Sequence, residues 1–220
     1  MIISYLADFK PISNPSKNAA KLNLFIKSSR RSLSLISGIG FLKKNMLLDK
    51  YMTKSQQIDQ RIGVFVDTQN MYYSARQLHG SKANFKTILK EAIAGRKLIR
   101  AIAYVIKADV KDENTFYNVL SEMGFEVKSK DLQVFYGGAK KGDWDVGIAM
   151  DVMRLAPKLD TIVLVSGDGD FSDLLEHAKS LGCRAEVVAF GKTTSHKLKE
   201  VTDLFVDLDK DVKYLLKKRK

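Results

Sequence analysis

Residues 163–175 read VLVSGDGDFSDLL. Val163, Leu164 and Val165 form a short apolar run of the kind a buried strand makes, and a glycine-bearing polar turn closes it. Asp168, Asp170 and Asp173 then fall within six positions, interleaved with Gly167 and Gly169. A turn is satisfied by one such residue. Like charges this close resist full ionisation unless something cationic sits between them. Residues 170–181 continue as a helix that Gly182 ends, so the stretch is a strand, an acidic turn and a helix.

The same unit repeats outward from here. IGVFV, residues 62–66, is a continuous apolar run closed by Asp67, the pattern of a strand buried on both faces. NFKTILKEAIA, residues 84–94, puts Phe85, Ile88, Leu89 and Ala92 at helical spacing, with Asn84 as N-cap. Residues 100–106 read as a strand, and 112–123 as a helix stopped by Gly124. Segments 125–128 and 131–136 read as short strands or one bent edge. Residues 143–155 carry Val146, Ile148, Ala149, Val152 and Met153 on a largely apolar helix ended near Pro157. Strands follow at 161–166, 184–190 and 204–207, and LLKKRK at the C-terminus reads as a solvated helix end. Alternation of this length predicts an α/β fold with a mainly parallel central sheet and helices on both faces.

The chain has 220 residues and a formal charge of +12, and that charge is unevenly spread. Residues 1–57 hold ten Lys/Arg against two Asp/Glu, whereas the remainder holds 27 against 23. The global basicity is therefore no argument for nucleic-acid binding by the folded part. The first 57 residues are rich in Ser, Lys and Leu, and show no strand–helix alternation. They read as a poorly structured basic extension, with three explanations open: an organellar targeting peptide, a phosphate-gripping arm, or a segment absent from a product that starts at Met52. The expected organisation is thus an extension over 1–57, a domain over 58–208 and a basic helix or tail over 209–220. The single cysteine, Cys183, excludes a disulfide framework and a cysteine zinc cluster. It reads as a buried structural thiol in a reducing compartment, which makes the cytoplasm the expected location. No stretch has the roughly 18 continuous apolar residues of a membrane helix.

Ligands of open parallel sheets bind beyond the carboxyl ends of the strands, where strand order reverses. Asp67 ends the first strand, and Asp168 and Asp170 follow the strand at 161–166. If those strands are neighbours, these carboxylates converge, and Asp143 and Asp145 join them from the helix after GGAKKG. Any one of these Asp residues is explained as a helix cap; the set at one end of the sheet is not. Converging carboxylates without an Arg or Lys cluster imply a hard divalent cation. Oxygen ligands favour Mg²⁺ or Mn²⁺ over zinc, since His79, His177 and His196 are far apart in sequence. Acidic sites of that kind serve phosphodiester or phosphomonoester hydrolysis.

FVDTQNMYY, KKGDWDVGIAMD and LVSGDGDF, in that order, resemble the motifs of the NYN domain, LabA-like branch, of the PIN-like nuclease superfamily. The motifs span residues 65–171, and the flanking strands extend the likeness to about 60–208. The resemblance implies a Rossmann-like PIN-type fold whose acidic pocket binds Mg²⁺ or Mn²⁺ and cleaves RNA. The family's first aspartate falls on Asp67, its asparagine on Asn70, its helix aspartate on Asp145 and its SGDxDF pair on Asp168 and Asp170. The chain departs from the pattern at Thr68 and Gln69, where many members have glycine after the first Asp, and at Asp173, where many have proline.

Asp67, Asp145 and Asp168 are then the expected metal ligands. Asp170 would bind through water or orient the nucleophile, and Asn70 would hydrogen-bond the scissile phosphate or a ligand water. Lys140, Lys141 and Thr68 are the expected substrate contacts, the lysines through phosphates. Tyr72, Tyr73 and Phe171 are near enough to stack on bases, but core packing is the expectation for them. The implied activity is endonucleolytic hydrolysis of RNA, single-stranded rather than duplex, and a homodimer is a compatible assembly. A phosphatase of the haloacid-dehalogenase type needs a second Asp where Gln69 stands. A receiver-like domain needs an acidic pair after the first strand, and a dinucleotide enzyme needs GxGxxG there. The serious alternative is an RNA-binding or scaffold protein that keeps the pocket with little turnover.

Overall fold

The computed structural model describes residues 58–107, 113–134 and 140–216. The apolar runs become the strands of one six-stranded sheet. These are β1 (Arg61–Asp67), β2 (Lys97–Lys107), β3 (Glu126–Asp131), β6 (Thr161–Val165), β7 (Arg184–Ala189) and β8 (Leu204–Asp207). Their order is β3-β2-β1-β6-β7-β8, and every neighbouring pair is parallel. Strand order runs outward from β1 to β3, then returns to β6 on the other side of β1. The reversal lies between β1 and β6, which are neighbours as the convergence of the carboxylates requires, with Val66 opposite Val165. Two-residue strands β4 (Gln133–Val134) and β5 (Lys140–Lys141) form a separate antiparallel ribbon.

Side chains alternate across the sheet and so build two cores. On one face Val64, Val66, Val163 and Val165 meet α1 (Thr68–His79), α2 (Phe85–Ile93) and α3 (Glu113–Glu122) through Met71, Ile88 and Leu120. On the other face Phe65, Tyr104, Ile162 and Leu164 meet α4 (Asp145–Leu155), α5 (Ser172–Ser180) and α6 (His196–Val201) through Ile148, Leu175 and Leu198. Burial on both faces is why the strands lack polar alternation. Each fully buried Val, Leu or Ile contributes about 1.5–3 kcal/mol relative to exposure. Packing is tight at Gly63, where a Cβ would lie 2.6 Å from Leu159 Cδ1 and 2.9 Å from the Phe65 ring.

Glu186 of β7 is the one strongly charged side chain buried within the sheet among the described residues. Arg96 meets it with two bonds of 2.9 and 2.8 Å, and Arg184 Nε donates a third at 2.8 Å. Arg96 also donates to the carbonyls of Ala92 and Ile93, which ties the end of α2 to the sheet.

Three parts depart from the expectations. Helices α1 and α6 do not stand out in the sequence: α1 buries only Thr68, Met71, Ser74 and Ala75, and α6 only Leu198. Residues 209–216 are neither helix nor free tail. Two 3₁₀ turns, Leu208–Lys210 and Val212–Tyr214, lay this segment back on α2. There Tyr214 is buried, its hydroxyl donates to Glu91 at 2.8 Å, and Leu215 bridges to Ala83. The expected basic extension over 1–57 and the last four residues of LLKKRK lie outside the described residues.

Candidate active site

Asp67 closes β1 and at once caps α1. Its Oδ1 accepts from the backbone N–H groups of Gln69 at 3.1 Å and Asn70 at 3.0 Å, and Ser166 Oγ donates to Oδ2 at 3.4 Å. Burial pushes its carboxyl above the usual range, with the Asp168 charge adding to that and the amide bonds opposing it. Asn70 reaches the other way: its Oδ1 accepts from Gly167 N at 3.0 Å and so braces the turn after β6.

That turn is held from several sides. Asp168 N donates to Ser166 Oγ at 3.2 Å, and Asp168 Oδ1 accepts from Asp170 N at 3.0 Å, capping a 3₁₀ turn over Gly169–Phe171. Ser195 N, from the loop after β7, donates to Gly167 O at 3.0 Å. The loop leaves no space above the glycines: a Cβ on Gly169 would sit 2.6 Å from Ser195 Oγ and 2.9 Å from its Cβ. Residues 193–195 thus crowd both glycines of GDGD, Gly169 more tightly than Gly167, where the nearest atom would be Thr194 Oγ1 at 3.0 Å.

Asp145 opens α4, and Trp144 positions it. The Trp144 indole N–H donates to Val105 O at 2.9 Å, and its ring packs 5.3 Å from Tyr104. Lys130 lies over the indole at 5.2 Å and donates to the Asp143 carbonyl. The first turn of α4 is thereby fixed to the ends of β2 and β3. Asp145 is pushed up to about 6, first by burial and then by the charges of Asp143, Asp168, Asp67 and Asp170. Those carboxylates share one electrostatic field.

A cleft of about 500 Å³ opens at this edge of the sheet. Asp67, Asp143, Asp145 and Asp168 line it on the sheet side, with Trp144 and Thr193. Gln69, Asn70, Tyr73, Ser74 and Gln77 of α1 form its other wall, and no Lys or Arg is among the lining residues. Asp170 is outside the lining although its charge reaches Asp145. Asp173 is apart, 82 % exposed and paired with Lys197 at 2.7 Å.

Thr68, expected as a substrate contact, is buried and turned away from the cleft. Its buried hydroxyl donates to Tyr104 O at 2.6 Å, stitching α1 to β2, because the first residue of α1 points back at the sheet. Phe171 is core, as expected, but Tyr73 is not: it is 59 % exposed on the cleft wall. Lys140 and Lys141 form β5, and their side chains lie outside the described residues. Gln69, Ser74, Gln77, Trp144 and Thr193 were given no role from the sequence, and Tyr73 was expected in the core. Only the i, i+4 spacing of Gln69, Tyr73 and Gln77 along α1 would have marked that wall.

The donor set is oxygen alone, since no His or Cys lines the cleft; His79 pairs with Asp209 at 2.8 Å, and His177 and His196 are exposed. Among the described residues no three Asp, Glu, His or Cys side chains stand close enough to hold one ion as direct ligands. This arrangement fits Mg²⁺, which is commonly held by one or two carboxylates and keeps several waters. It does not fit a closed protein cage.

Comparison with known proteins agrees with this fold. The chain is 28 % identical over 167 residues to the low amplitude and bright protein LabA of Synechococcus elongatus, covering 72 % of this chain and 88 % of that protein. It is 34 % identical to a Vibrio parahaemolyticus protein of unknown function whose crystal structure superposes with a TM-score of 0.67, covering 72 % of this chain and 98 % of that one. Residues 61–209 match the NYN domain model, from β1 to the 3₁₀ turn after β8. The chain belongs to the NYN domain family.

Proposed function

We propose that this domain is a Mg²⁺- or Mn²⁺-dependent ribonuclease that cuts single-stranded RNA endonucleolytically in the cleft between β1 and β6. NYN domains are a PIN-like nuclease family, which supports the reaction class. The observation that carries the reading is the gathering of Asp67, Asp143, Asp145 and Asp168 at the strand-order reversal, where burial first and then the neighbouring charges push Asp145 up to about 6. Such a cluster destabilises the folded chain unless a cation offsets it.

Asp67, Asp145 and Asp168 would hold the ion between them, one or two directly and the rest through its bound waters. When bound, the cation supplies neutralisation of phosphate charge and acidification of a water. The chain's own groups do the rest. Asp145, ionised at neutral pH, accepts a proton at a carboxylate oxygen from a water in the cleft. Two backbone amides hold Asp67 Oδ1, which fixes the direction of Oδ2. Asn70 and Ser195 keep the GDGD turn in place, with the Asn70 carboxamide N–H groups left for a phosphate oxygen. Asp170 acts on the site through its charge, and Lys140 and Lys141 meet the RNA backbone ahead of α4. Buried, unpaired Cys183 fits work in a reducing compartment such as the cytoplasm. No helix among the described residues is long and apolar enough to cross a membrane.

One observation favours the second reading, an RNA-binding regulator with little turnover: among the described residues no three ligand side chains approach one point. A circular single-stranded RNA separates the two. The nuclease reading expects millimolar Mn²⁺ or Mg²⁺ to linearise it and chelation to stop the reaction. RNA that is bound but stays circular at every metal concentration would assign the domain to the binding class.

A further inference from the structure

The cleft has two chemically different walls. Its sheet side carries carboxylates, whereas α1 presents Gln69, Tyr73 and Gln77 at four-residue spacing, all uncharged and all lining the cavity. Tyr73 is 59 % exposed, more than a large ring on a helix wall needs to be. Its neighbour Tyr72 braces it edge-on, with ring centroids 5.5 Å apart, and Arg76 in turn holds the Tyr72 hydroxyl at 2.7 Å. No Lys or Arg lines the cleft among the described residues. Direct cationic contacts with phosphate dominate most nucleic-acid binding, and the described lining offers none. What this wall does offer is a surface that can recognise another part of a nucleotide.

We propose that the α1 wall is a nucleobase site: an unpaired base stacks on Tyr73, and the carboxamides of Gln69 and Gln77 hydrogen-bond its edge. An aromatic face takes a base only when that base is free of its own stack and pair, so the wall selects single-stranded substrate. Carboxamides carry both donors and acceptors and so match the polar edges of bases. Gln69 and Gln77 lie one turn to either side of Tyr73, the positions from which they flank a stacked base. This rests on the reading of the cleft as an RNA site. It adds that the α1 wall contributes affinity through the base, with Tyr73 as the binding residue.

The test is fluorescence anisotropy of a labelled single-stranded RNA in Mg²⁺, on the Asp145→Asn full chain so that cleavage does not interfere. Tyr73→Ala in that chain should weaken binding about tenfold or more, the usual effect of removing a stacking ring, and Tyr73→Phe should retain it. An oligonucleotide of the same length with abasic sites should bind the Tyr73 chain about as poorly as the intact RNA binds Tyr73→Ala, and Tyr73→Ala should no longer tell the two apart. Tight RNA binding that is indifferent to both Tyr73→Ala and abasic substitution would overturn the base site and leave the RNA reading standing. Failure of the parent chain to bind either oligonucleotide would overturn both.

Discussion

Replacing Asp145 with asparagine should stabilise the metal-free domain, and the gain should depend on pH. Asp145 moves from its ordinary value of 3.8 to about 6 in the folded chain. Between those values the folded state keeps a proton that the unfolded chain has lost, so stability falls as pH rises through that window. Above it the penalty is complete, about 3 kcal/mol at face value. Asp145 is only half-buried, and solvent screening reduces this to about 1–2 kcal/mol. Its negative charge in the first turn of α4 gives back about 0.5 kcal/mol through the helix dipole, which asparagine loses. The net expectation is a chain about 1 kcal/mol more stable near pH 7.5, with the advantage gone at about pH 4. Urea unfolding in a chelator across this range measures it directly. Adding Mn²⁺ should narrow the difference at high pH, because the ion binds the native acidic cluster alone. A variant that is no more stable than the parent at pH 7.5, or whose difference is flat with pH, would refute the shared field.

Arg96→Ala strands Glu186 with Arg184 as its one remaining cation, and should cost about 3 kcal/mol in urea unfolding; a loss below about 1 kcal/mol would mean the pair is not buried as described. Gly169→Ala drives a Cβ into Ser195 and should cost about 1–3 kcal/mol, with Ser195→Gly in the same chain recovering most of it. Cys183 is buried with its thiol pushed up by burial, so a disulfide reagent should leave it unmodified in the native protein and titrate one thiol after unfolding. Fast native modification would show that the β7 edge opens.

The strands were legible because β1 and β6 are buried on both faces, and nothing but continuous apolar residues satisfies that environment. The acidic side of the cleft was legible for a related reason. Asp67 closes an apolar strand, Asp168 follows another and Asp145 opens an apolar helix, and parallel topology sends strand ends and helix starts to one edge. The α1 wall was not legible, because TQNMYYSARQLH buries little and its polar side chains are exposed. Tyr73 could be seen as a surface ring only once Asp67 had fixed the start of α1 and so the rotation of the helix. Thr68 was misread for the same reason, since being next to Asp67 in sequence put it on the opposite side of the helix start. Trp144 acts through the carbonyl of Val105, 39 residues away, and residues 209–216 fold back on Asn84 and Glu91. No local pattern encodes such contacts.

The central claim is that the acidic cleft cuts RNA with a divalent cation, and Asp67→Asn addresses it most directly. Asparagine keeps the side-chain oxygen that caps α1 and removes one charge from the cluster. Parent and variant, purified separately, are assayed for single-turnover cleavage of a labelled single-stranded RNA in Mn²⁺, with affinity measured on the same samples. The account predicts a fall in the cleavage rate of about a hundredfold or more, with RNA affinity unchanged or slightly tighter. Equal cleavage by both proteins would contradict it and attribute the activity to a contaminant.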